Sequence, residues 1–386
     1  MAKWSYLVDI GGMNNKADIS TRRVGLLLLG GHHHILHLVP IAAGIEAETD
    51  FDIIVYVTRE SEAALCRNLL AGLGAVRTQV QILGANRVLK SISPKLAFLL
   101  SNLKTWKALD ALIVAERTST ILRYATRALP PFIHTRHGAG DRAKGFDPRI
   151  RHFDHVLVAG PKDKARMIDC GLATDSSCYA TGYIKPYVVR RIYPKLDKCF
   201  NNDKPTVLYN PHFNLGLSSW AEFGQDLLEA FSKRADFNFI IAPHMRLFAK
   251  ASRAERESLE RFSKFDHMHI DLGSERSADM SYTREADIFL GDVSSQVYEF
   301  LSEPKPCVFI GNKDVSWENN PDYAHWAYGP VCHSTAQVLG ALERAQDSLP
   351  EYSARQAQGC LAAKGSPDWD PITRAGKIIR DILGPG

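Results

Sequence analysis

The sequence predicts an α/β protein of two doubly wound domains, each built on a parallel sheet, that face each other across a cleft. Three observations lead to this prediction. The chain of 386 residues is long enough for two domains that each bury a core. From residue 24 onward, short apolar runs alternate with turns and amphipathic stretches, as in βαβ units. One charged, proline-flanked stretch, Tyr187 to Lys204, interrupts the alternation near the middle.

The first half contains five apolar runs of strand length bounded by turn residues. They are Val24–Leu29, Asp52–Val57, Ala111–Ala115, Phe132–Thr135 and His155–Ala159. Apolar residues at helical spacing predict helices over Ile35–Gly44 and Glu62–Ala71. We therefore assign residues 1–187 to an N-terminal domain and residues 188–204 to a linker.

The alternation resumes in the second half with four further apolar runs. They are Thr206–Tyr209, Asn238–Ala242, Ile288–Leu290 and Cys307–Ile310. Ser219 and Glu222 have the spacing of a capping box, and Ser334 is placed to cap a helix that continues through Leu342. We assign residues 205–369 to a C-terminal domain.

A last helix is predicted over residues 370–384. Asp370 has the N-cap position and Pro371 the first helical position, and apolar residues follow at helical spacing. We expect this helix to cross back and pack on the N-terminal domain.

Composition excludes several classes of protein. The formal net charge is +4, and the lysines and arginines are scattered, which does not fit a dedicated nucleic-acid binder. The apolar runs fall short of the ~20 residues that span a bilayer, and the N-terminus lacks a secretory apolar region. We therefore expect a cytoplasmic protein, one that could contact the cytoplasmic face of the inner membrane. The sequence also lacks the motifs of phosphate-binding P-loops, dinucleotide dehydrogenases and serine hydrolases.

Residues that follow strands carry most of the functional signal, because ligands of parallel sheets collect at the carboxyl ends of strands. His137, followed by Gly138, comes directly after a predicted strand and is placed to take a proton from an attacking hydroxyl. The alternative is a histidine that only ties down a turn. His244 and Arg246 follow another strand and could bind a diphosphate.

The most specific segment is the one that ends the run Ile288–Leu290. Gly291 is followed by Asp292, Ser294 and Ser295, whose hydroxyls and backbone amides could form an anion cradle at the start of a helix. Glu299 lies further along that helix, where its carboxylate could hold ribose hydroxyls or the base. The alternative is that Asp292 or Ser294 only caps the helix.

A fourth segment, Gly30-Gly31-His32-His33-His34, follows the first strand. Three adjacent histidines suggest a metal by composition, but neighbouring residues rarely point at one ion, and no Cys, Asp or Glu lies at ligand spacing. We interpret Gly30, Gly31 and His32 as a turn on the acceptor side of the cleft, and we expect no metal site.

From about His134 to Ile310 the sequence resembles the CDP-glycerol glycerophosphotransferase family, the teichoic-acid primases and polymerases, which have a GT-B fold. The resemblance rests on four motifs: His137-Gly138, Tyr209-Asn210-Pro211-His212, His244 after its strand, and the run from Ala286 to Ser295 with Glu299-Phe300 and Lys305-Pro306. It implies that His137 is the catalytic base and that His244, the second catalytic residue, helps to hold the donor's diphosphate. Donor binding would fall to Asn210, His212, Arg246, Asp292, Ser294, Ser295 and Glu299.

The resemblance implies transfer of a glycerophosphoryl or related alditol-phosphate group from a CDP-activated donor to a hydroxyl of a glycan or glycolipid. CMP would be released, no cofactor would be required, and the product would be a cell-envelope, capsule or teichoic-acid-like polymer. Two alternatives remain within enzymes: a GT-B glycosyltransferase with a UDP- or CMP-sugar donor and, more distantly, a UDP-sugar 2-epimerase. A non-catalytic nucleotide-sugar sensor or scaffold is the alternative of another class.

Overall fold

The protein is described here by a computed structural model that covers residues 21–29, 31–86, 93–277, 279–311 and 315–384. The first of its two sheets has seven parallel strands in the order β3-β2-β1-β4-β5-β6-β7. The strands are β1 Arg23–Leu27, β2 Asp52–Val57, β3 Gln79–Ile82, β4 Ala111–Val114, β5 Phe132–Thr135, β6 His155–Val158 and β7 Cys178–Ala180. The central strands β1 and β4 are buried over nearly their whole length, which explains why they read as continuous apolar runs.

Helices cover both faces of this sheet, as a doubly wound domain requires. They are α1 Ile35–Glu48, α2 Glu60–Leu73, α3 Pro94–Ser101, α4 Leu103–Lys107, α5 Ile121–Ala125, α6 Pro161–Asp169 and α7 Ile184–Ile192. Short 3-10 turns precede two of them, at His32–His34 before α1 and at Arg117–Thr120 before α5. We call this sheet with its helices the first lobe.

The second sheet has six parallel strands in the order β10-β9-β8-β11-β12-β13. They are β8 Thr206–Asn210, β9 Asn238–Ile241, β10 Met268–Ile270, β11 Ile288–Gly291, β12 Cys307–Ile310 and β13 Val331–Cys332. Its helices are α8 Trp220–Ser232, α9 Arg253–Glu260, α10 Ser281–Glu285, α11 Val297–Phe300, α12 Thr335–Glu343 and α13 Ala345–Lys364. This second lobe completes the pair of Rossmann-like domains, so the predicted fold class is confirmed.

Four strands were not predicted, and they are the four edge strands of the two sheets: β3, β7, β10 and β13. An edge strand has one neighbour and is only partly covered, so its sequence lacks a strong apolar run. In β3, for instance, three of the four residues are exposed.

The predicted capping box at Ser219 is wrong. Ser219 precedes α8, but its hydroxyl makes no capping hydrogen bond to the helix. It donates instead to the carboxylate of Asp292 at 3.0 Å and contacts the hydroxyl of Tyr209 at 2.9 Å. The capping predicted at Ser334 is confirmed, since its Oγ accepts from the amide of Gln337.

The segment predicted as a linker begins inside a helix, because α7 continues to Ile192. Strand β7 ends at Ala180 and β8 starts at Thr206, so the passage between the two sheets lies between these residues. Arg284 of the second lobe holds this passage in place: its guanidinium donates to the carbonyl groups of Tyr193 and Pro194.

The last helix, α14 Pro371–Leu383, packs against α1 of the first lobe. Asp370 caps it by accepting from the amides of Ile372 and Thr373. Gly44 of α1 and Gly376 of α14 face each other so closely that an added Cβ on either would overlap the backbone of the other helix. None of the helices within the described residues has both the length and the apolar character that a membrane crossing needs.

Candidate active site between the lobes

A cavity of about 410 Å³ lies between the two lobes. Its walls come from segments at or after the ends of β1, β4, β5 and β7 in the first lobe and of β8, β9, β10, β11 and β12 in the second. The carboxyl ends of both sheets therefore face the same space, as expected for parallel sheets. Another cavity, of about 390 Å³, lies around Lys204, Lys264 and His267 and contains none of the predicted site residues.

His137 forms part of the first-lobe wall, beside the glycine turn that follows β5. Gly138 has a φ of +126°, which a side chain would disfavour. The ring of His137 lies 4.3 Å from that of His34 and 6.5 Å from that of His37. His137 is exposed to the open cavity, but both lobes surround it; desolvation by the surrounding protein, with the nearby charge of Arg136 and that of His33 when His33 is protonated, lowers the pKa of His137 to about 4. His137 is therefore an unprotonated acceptor at neutral pH.

Two histidines on the second-lobe wall repeat one local geometry. Each follows a proline at a strand end, and its Nδ1 accepts from the backbone amide two residues later: His212 from Asn214 at 2.9 Å, His244 from Arg246 at 3.2 Å. Burial lowers the pKa of both imidazoles, so the neutral rings carry their single proton on Nε2. The rings lie 6.0 Å apart, and Phe213 contacts both. The second lobe thus lines the cavity with two N–H donors.

Arg246 adds a positive charge to this wall. Its guanidinium lies 4.3 Å from the ring centroid of Phe213, and it makes no ion pair with any carboxylate in the described part of the chain. The sequence predicts that His244 and Arg246 bind a diphosphate together, and the structure brings both side chains to the cavity.

Ser294 and Ser295 also line the cavity, but the anion cradle predicted on a helix start differs from the structure. Helix α11 has only four residues, so it offers little helix dipole to an anion. The hydroxyl of Ser294 donates to Asn210 at 2.7 Å. Ser295 packs against the first-lobe glycine loop, where a Cβ on Gly140 would approach it to 2.8 Å.

Asp292 and Asn210, both predicted to contact the donor, lie behind the cavity wall and do not line it. The carboxylate of Asp292 is 1% exposed and accepts from the amides of His212 and Ser219 and from the Ser219 hydroxyl. The amide nitrogen of Asn210 donates to the carbonyl of Ala242. We correct their role: they hold the strand-end loops in place, because their polar atoms are already bonded within the lobe.

Glu299 lines the cavity, but it is not a free carboxylate. Lys185 donates to both of its oxygens at 2.8 Å, and the Tyr183 hydroxyl donates to one of them at 2.9 Å. All three side chains are buried. A ribose that reached Glu299 would therefore meet a neutralised pair.

The predicted acceptor-side residues need correction as well. Gly30 lies outside the described residues. Gly31 forms a turn with a φ of +86°, and His32 is exposed, outside the cavity, with Nδ1 3.6 Å from Glu275. The next residues serve the site instead: His33 and His37 line the cavity, since a 3-10 turn followed by α1 puts them on one side.

The sequence interpretation missed a buried hydrogen-bond network that joins the lobes. Asp141, four residues after His137, accepts from Nδ1 of His325 at 2.8 Å and from the Tyr298 hydroxyl, and it pairs with Lys162. Burial alone would raise the pKa of Asp141, but the bond from His325 and the charge of Lys162 lower it to about 2. Only the position of Asp141 in the loop that follows β5 could have indicated it.

The charge of the cavity fits an anionic ligand. Two carboxylates line it, Asp141 and Glu299, and both are paired with cations. Six cationic side chains line it: Arg117, Arg136 and Lys185, which are paired with carboxylates, and Arg142, Lys144 and Arg246, which have no ion pair within the described residues. Across the described ranges, no group of three or more His, Cys, Asp or Glu residues is arranged to hold a metal ion.

Known family models and curated protein sequences give no match to this chain. Solved structures do. S. aureus MnaA in complex with UDP has a TM-score of 0.63 at 14% identity, over 94% of this chain and 96% of that chain. The UDP-GlcNAc 2-epimerase from Neisseria meningitidis bound to UDP-GlcNAc gives 0.61 at 15%, over 94% and 99%. A variant of the wall teichoic acid polymerase TagF soaked with CDPG gives 0.60 at 13%, over 94% and 88%.

These similarities extend over nearly the whole chain and confirm the GT-B arrangement of two Rossmann-like lobes around a cleft. At identities of 13–15% they establish the fold alone.

Proposed function

We propose that the chain is a transferase that uses a nucleotide-activated donor. In its leading form, it moves a glycerophosphoryl or related alditol-phosphate group from a CDP-activated donor to a hydroxyl of a glycan or glycolipid. One observation carries the proposal: a neutral histidine on the first-lobe wall shares a single cavity with the N–H donors and free arginine of the second-lobe wall. This arrangement suits proton removal on one side and phosphate binding on the other.

The proposed reaction assigns these residues the following roles. His137 accepts the proton of the acceptor hydroxyl, and the oxygen attacks the β-phosphorus of the donor. The bond from that phosphorus to the bridging oxygen breaks, and CMP leaves with the electron pair. Such transfers depend mainly on positioning and charge stabilisation. His244, Arg246 and the Ser295 hydroxyl would supply these on the second-lobe wall.

The solved structures support a nucleotide donor. MnaA is described with UDP, the N. meningitidis epimerase with UDP-GlcNAc and TagF with CDPG, so proteins of this fold hold nucleotide diphosphates. The three cations of the cavity that have no ion pair within the described residues, Arg142, Lys144 and Arg246, favour the same class of ligand here. The cytidine base and the alditol rest on the sequence resemblance.

Glycosyl transfer from a UDP- or CMP-sugar is a second candidate, since His137 would remove the same proton while the attack fell on an anomeric carbon. Epimerisation fits less well. It needs carboxylates at the sugar ring, and the two that line the cavity within the described chain, Asp141 and Glu299, are already paired.

Product analysis tests the proposal. The protein would be incubated with CDP-glycerol and, separately, UDP-N-acetylglucosamine, in the presence of mixed glycans and glycolipids, and phosphorus NMR would identify the nucleotide released. Release of CMP supports alditol-phosphate transfer, and release of UDP supports glycosyl transfer.

A His137→Ala variant should lose turnover but keep donor affinity, while His152→Ala, outside the cavity, should behave as wild type. Donor binding without turnover in the wild type, with every acceptor fraction, would support a sensor instead.

A further inference from the structure

Arg142 of the first lobe reaches across the cleft to the second lobe. It lies in the loop after β5, and its Nη1 is 2.6 Å from Nε2 of His212, beyond the end of β8. Both side chains line the cavity. No carboxylate of the described residues lies within ion-pair distance of Arg142. The cation therefore rests against an imidazole and not against an anion.

This contact leaves His212 with one acceptor for two donors. A neutral imidazole has one N–H and one lone-pair nitrogen. Nδ1 of His212 faces the amide of Asn214 at 2.9 Å, and Nε2 faces the guanidinium of Arg142. Whichever nitrogen carries the proton, one of the two contacts sets a donor against a donor, and a protonated ring would make both unfavourable.

The contact with Arg142 is the unfavourable one. The amide of Asn214 is fixed by the backbone two residues from His212, and the same Nδ1 contact is repeated at His244. The arginine side chain, by contrast, can rotate. Nε2 of His212 therefore carries the proton, and two N–H donors on opposite lobes point at each other across the cleft.

We propose that this pair is an anion site, in which a phosphoryl oxygen enters between Arg142 and His212 and accepts from both. Such an oxygen would remove the donor-donor conflict and would link the lobes around the ligand. The bonds to it would be charge-assisted, since the guanidinium and the phosphate are both ionised. Arg142 is then a ligand-binding residue of the first lobe. The proposed function above gives Arg142 no role.

The phosphoryl group has two sources: the distal phosphate of the donor, or a phosphate on the acceptor. The choice between them rests on the proposed function, but the anion site itself does not. Binding of inorganic phosphate, pyrophosphate, CMP and CDP by calorimetry separates the sources. Arg142→Gln and His212→Gln are the test variants. Arg149→Gln is the matched control, because Arg149 pairs with Asp147 outside the cavity.

If the site takes the donor's distal phosphate, Arg142→Gln should weaken CDP and pyrophosphate by about 10- to 100-fold and leave CMP unchanged. If it takes an acceptor phosphate, the variant should bind both nucleotides normally and lose phosphate binding to the CDP-saturated protein. Wild-type affinity of Arg142→Gln for every probe, or no binding of any probe by wild type, would overturn the proposal.

These outcomes separate the two claims. Loss of pyrophosphate binding in Arg142→Gln, in a protein that binds no nucleotide, would keep the anion site and refute the proposed function. The His212 ring gives a readout independent of affinity. A proton–nitrogen correlation spectrum should show its proton on Nε2, with a resonance that shifts when pyrophosphate is added; a proton on Nδ1 would contradict the site.

Discussion

The ammonium group of Lys185 donates to both carboxylate oxygens of Glu299, at 2.8 Å each, and so ties α7 of the first lobe to α11 of the second. Both side chains are about 6% exposed. A pair removed from water in this way costs desolvation free energy when formed, but breaking it leaves a bare charge. The pair is therefore a sensitive probe of how the lobes are held together.

Removing one partner should be more harmful than removing both charges. Lys185→Met should lower the free energy of unfolding by about 3–5 kcal/mol, since Glu299 is left buried and unpaired. The double variant Lys185→Met with Glu299→Gln should recover a large part of that loss. Urea denaturation of the wild type, both single variants and the double variant measures the coupling, and additive losses would contradict a paired, buried contact.

Stability should fall steeply with acidification below about pH 6.5. Burial lowers the pKa of His34, His37, His134 and His212, the last two to about 3. At a pH between the lowered pKa of the folded state and the ordinary pKa of the unfolded chain, the unfolded chain binds more protons than the folded protein. Stability is therefore lost as the pH falls through that window. For each of these residues, the free energy of unfolding falls by up to ~1.4 kcal/mol per pH unit of acidification within that window.

Denaturant unfolding at pH 7, 6 and 5 measures this slope. His134→Gln should reduce this slope by about the contribution of one histidine, up to ~1.4 kcal/mol per pH unit. The same slope in wild type and variant would show that His134 titrates normally in the folded protein.

The contact between α1 and α14 should not tolerate a side chain at its glycines. Gly376→Ala should lower the free energy of unfolding by about 1–3 kcal/mol, because the new methyl group would overlap the backbone of Gly44 and force the helices apart. Gly340→Ala in α12 is the matched control: its Cβ would meet only Arg344 at 3.5 Å, so a gain of about 0.5–1 kcal/mol is expected. Equal effects of the two substitutions in thermal unfolding would argue against the close helix contact.

The transferase activity should persist into mildly acidic solution. The lowered pKa of His137 keeps it unprotonated above about pH 4, and the base is lost only as the pH falls through that value. The acid limb of kcat/KM, which reports groups of the free enzyme and free substrate, should therefore lie below about pH 6. A limb at or above pH 7 that is absent from the substrate's own titration would contradict His137 as the base.

The central strands were predictable, because β1, β4, β5 and β11 are covered on both faces and read as continuous apolar runs. The edge strands were not predictable, because an edge strand is only partly covered and does not need a continuous apolar run. Segments after strands were likewise predictable as a group: His137, His244 and Ser295 all reach the cavity.

The role of an individual side chain within such a segment was harder to predict from the sequence. Asp292 precedes Ser294 by two residues, yet it turns behind the wall to hold the amides of His212 and Ser219. Among the adjacent histidines, His32 turns to solvent while His33 lines the cavity. Partners distant in sequence decide these directions: Glu299 is neutralised by Lys185, 114 residues earlier, and no local pattern records that pairing.

The central claim is that the cleft holds a nucleotide-activated donor, and calorimetric titration of the purified protein tests it most directly. CDP-glycerol, CDP, UDP and CMP would each be titrated with and without magnesium, into the wild type and into Arg246→Gln. We predict binding of the cytidine diphosphates that is indifferent to magnesium and weaker by about 10-fold or more in the variant. A protein that binds none of the four nucleotides would contradict the account.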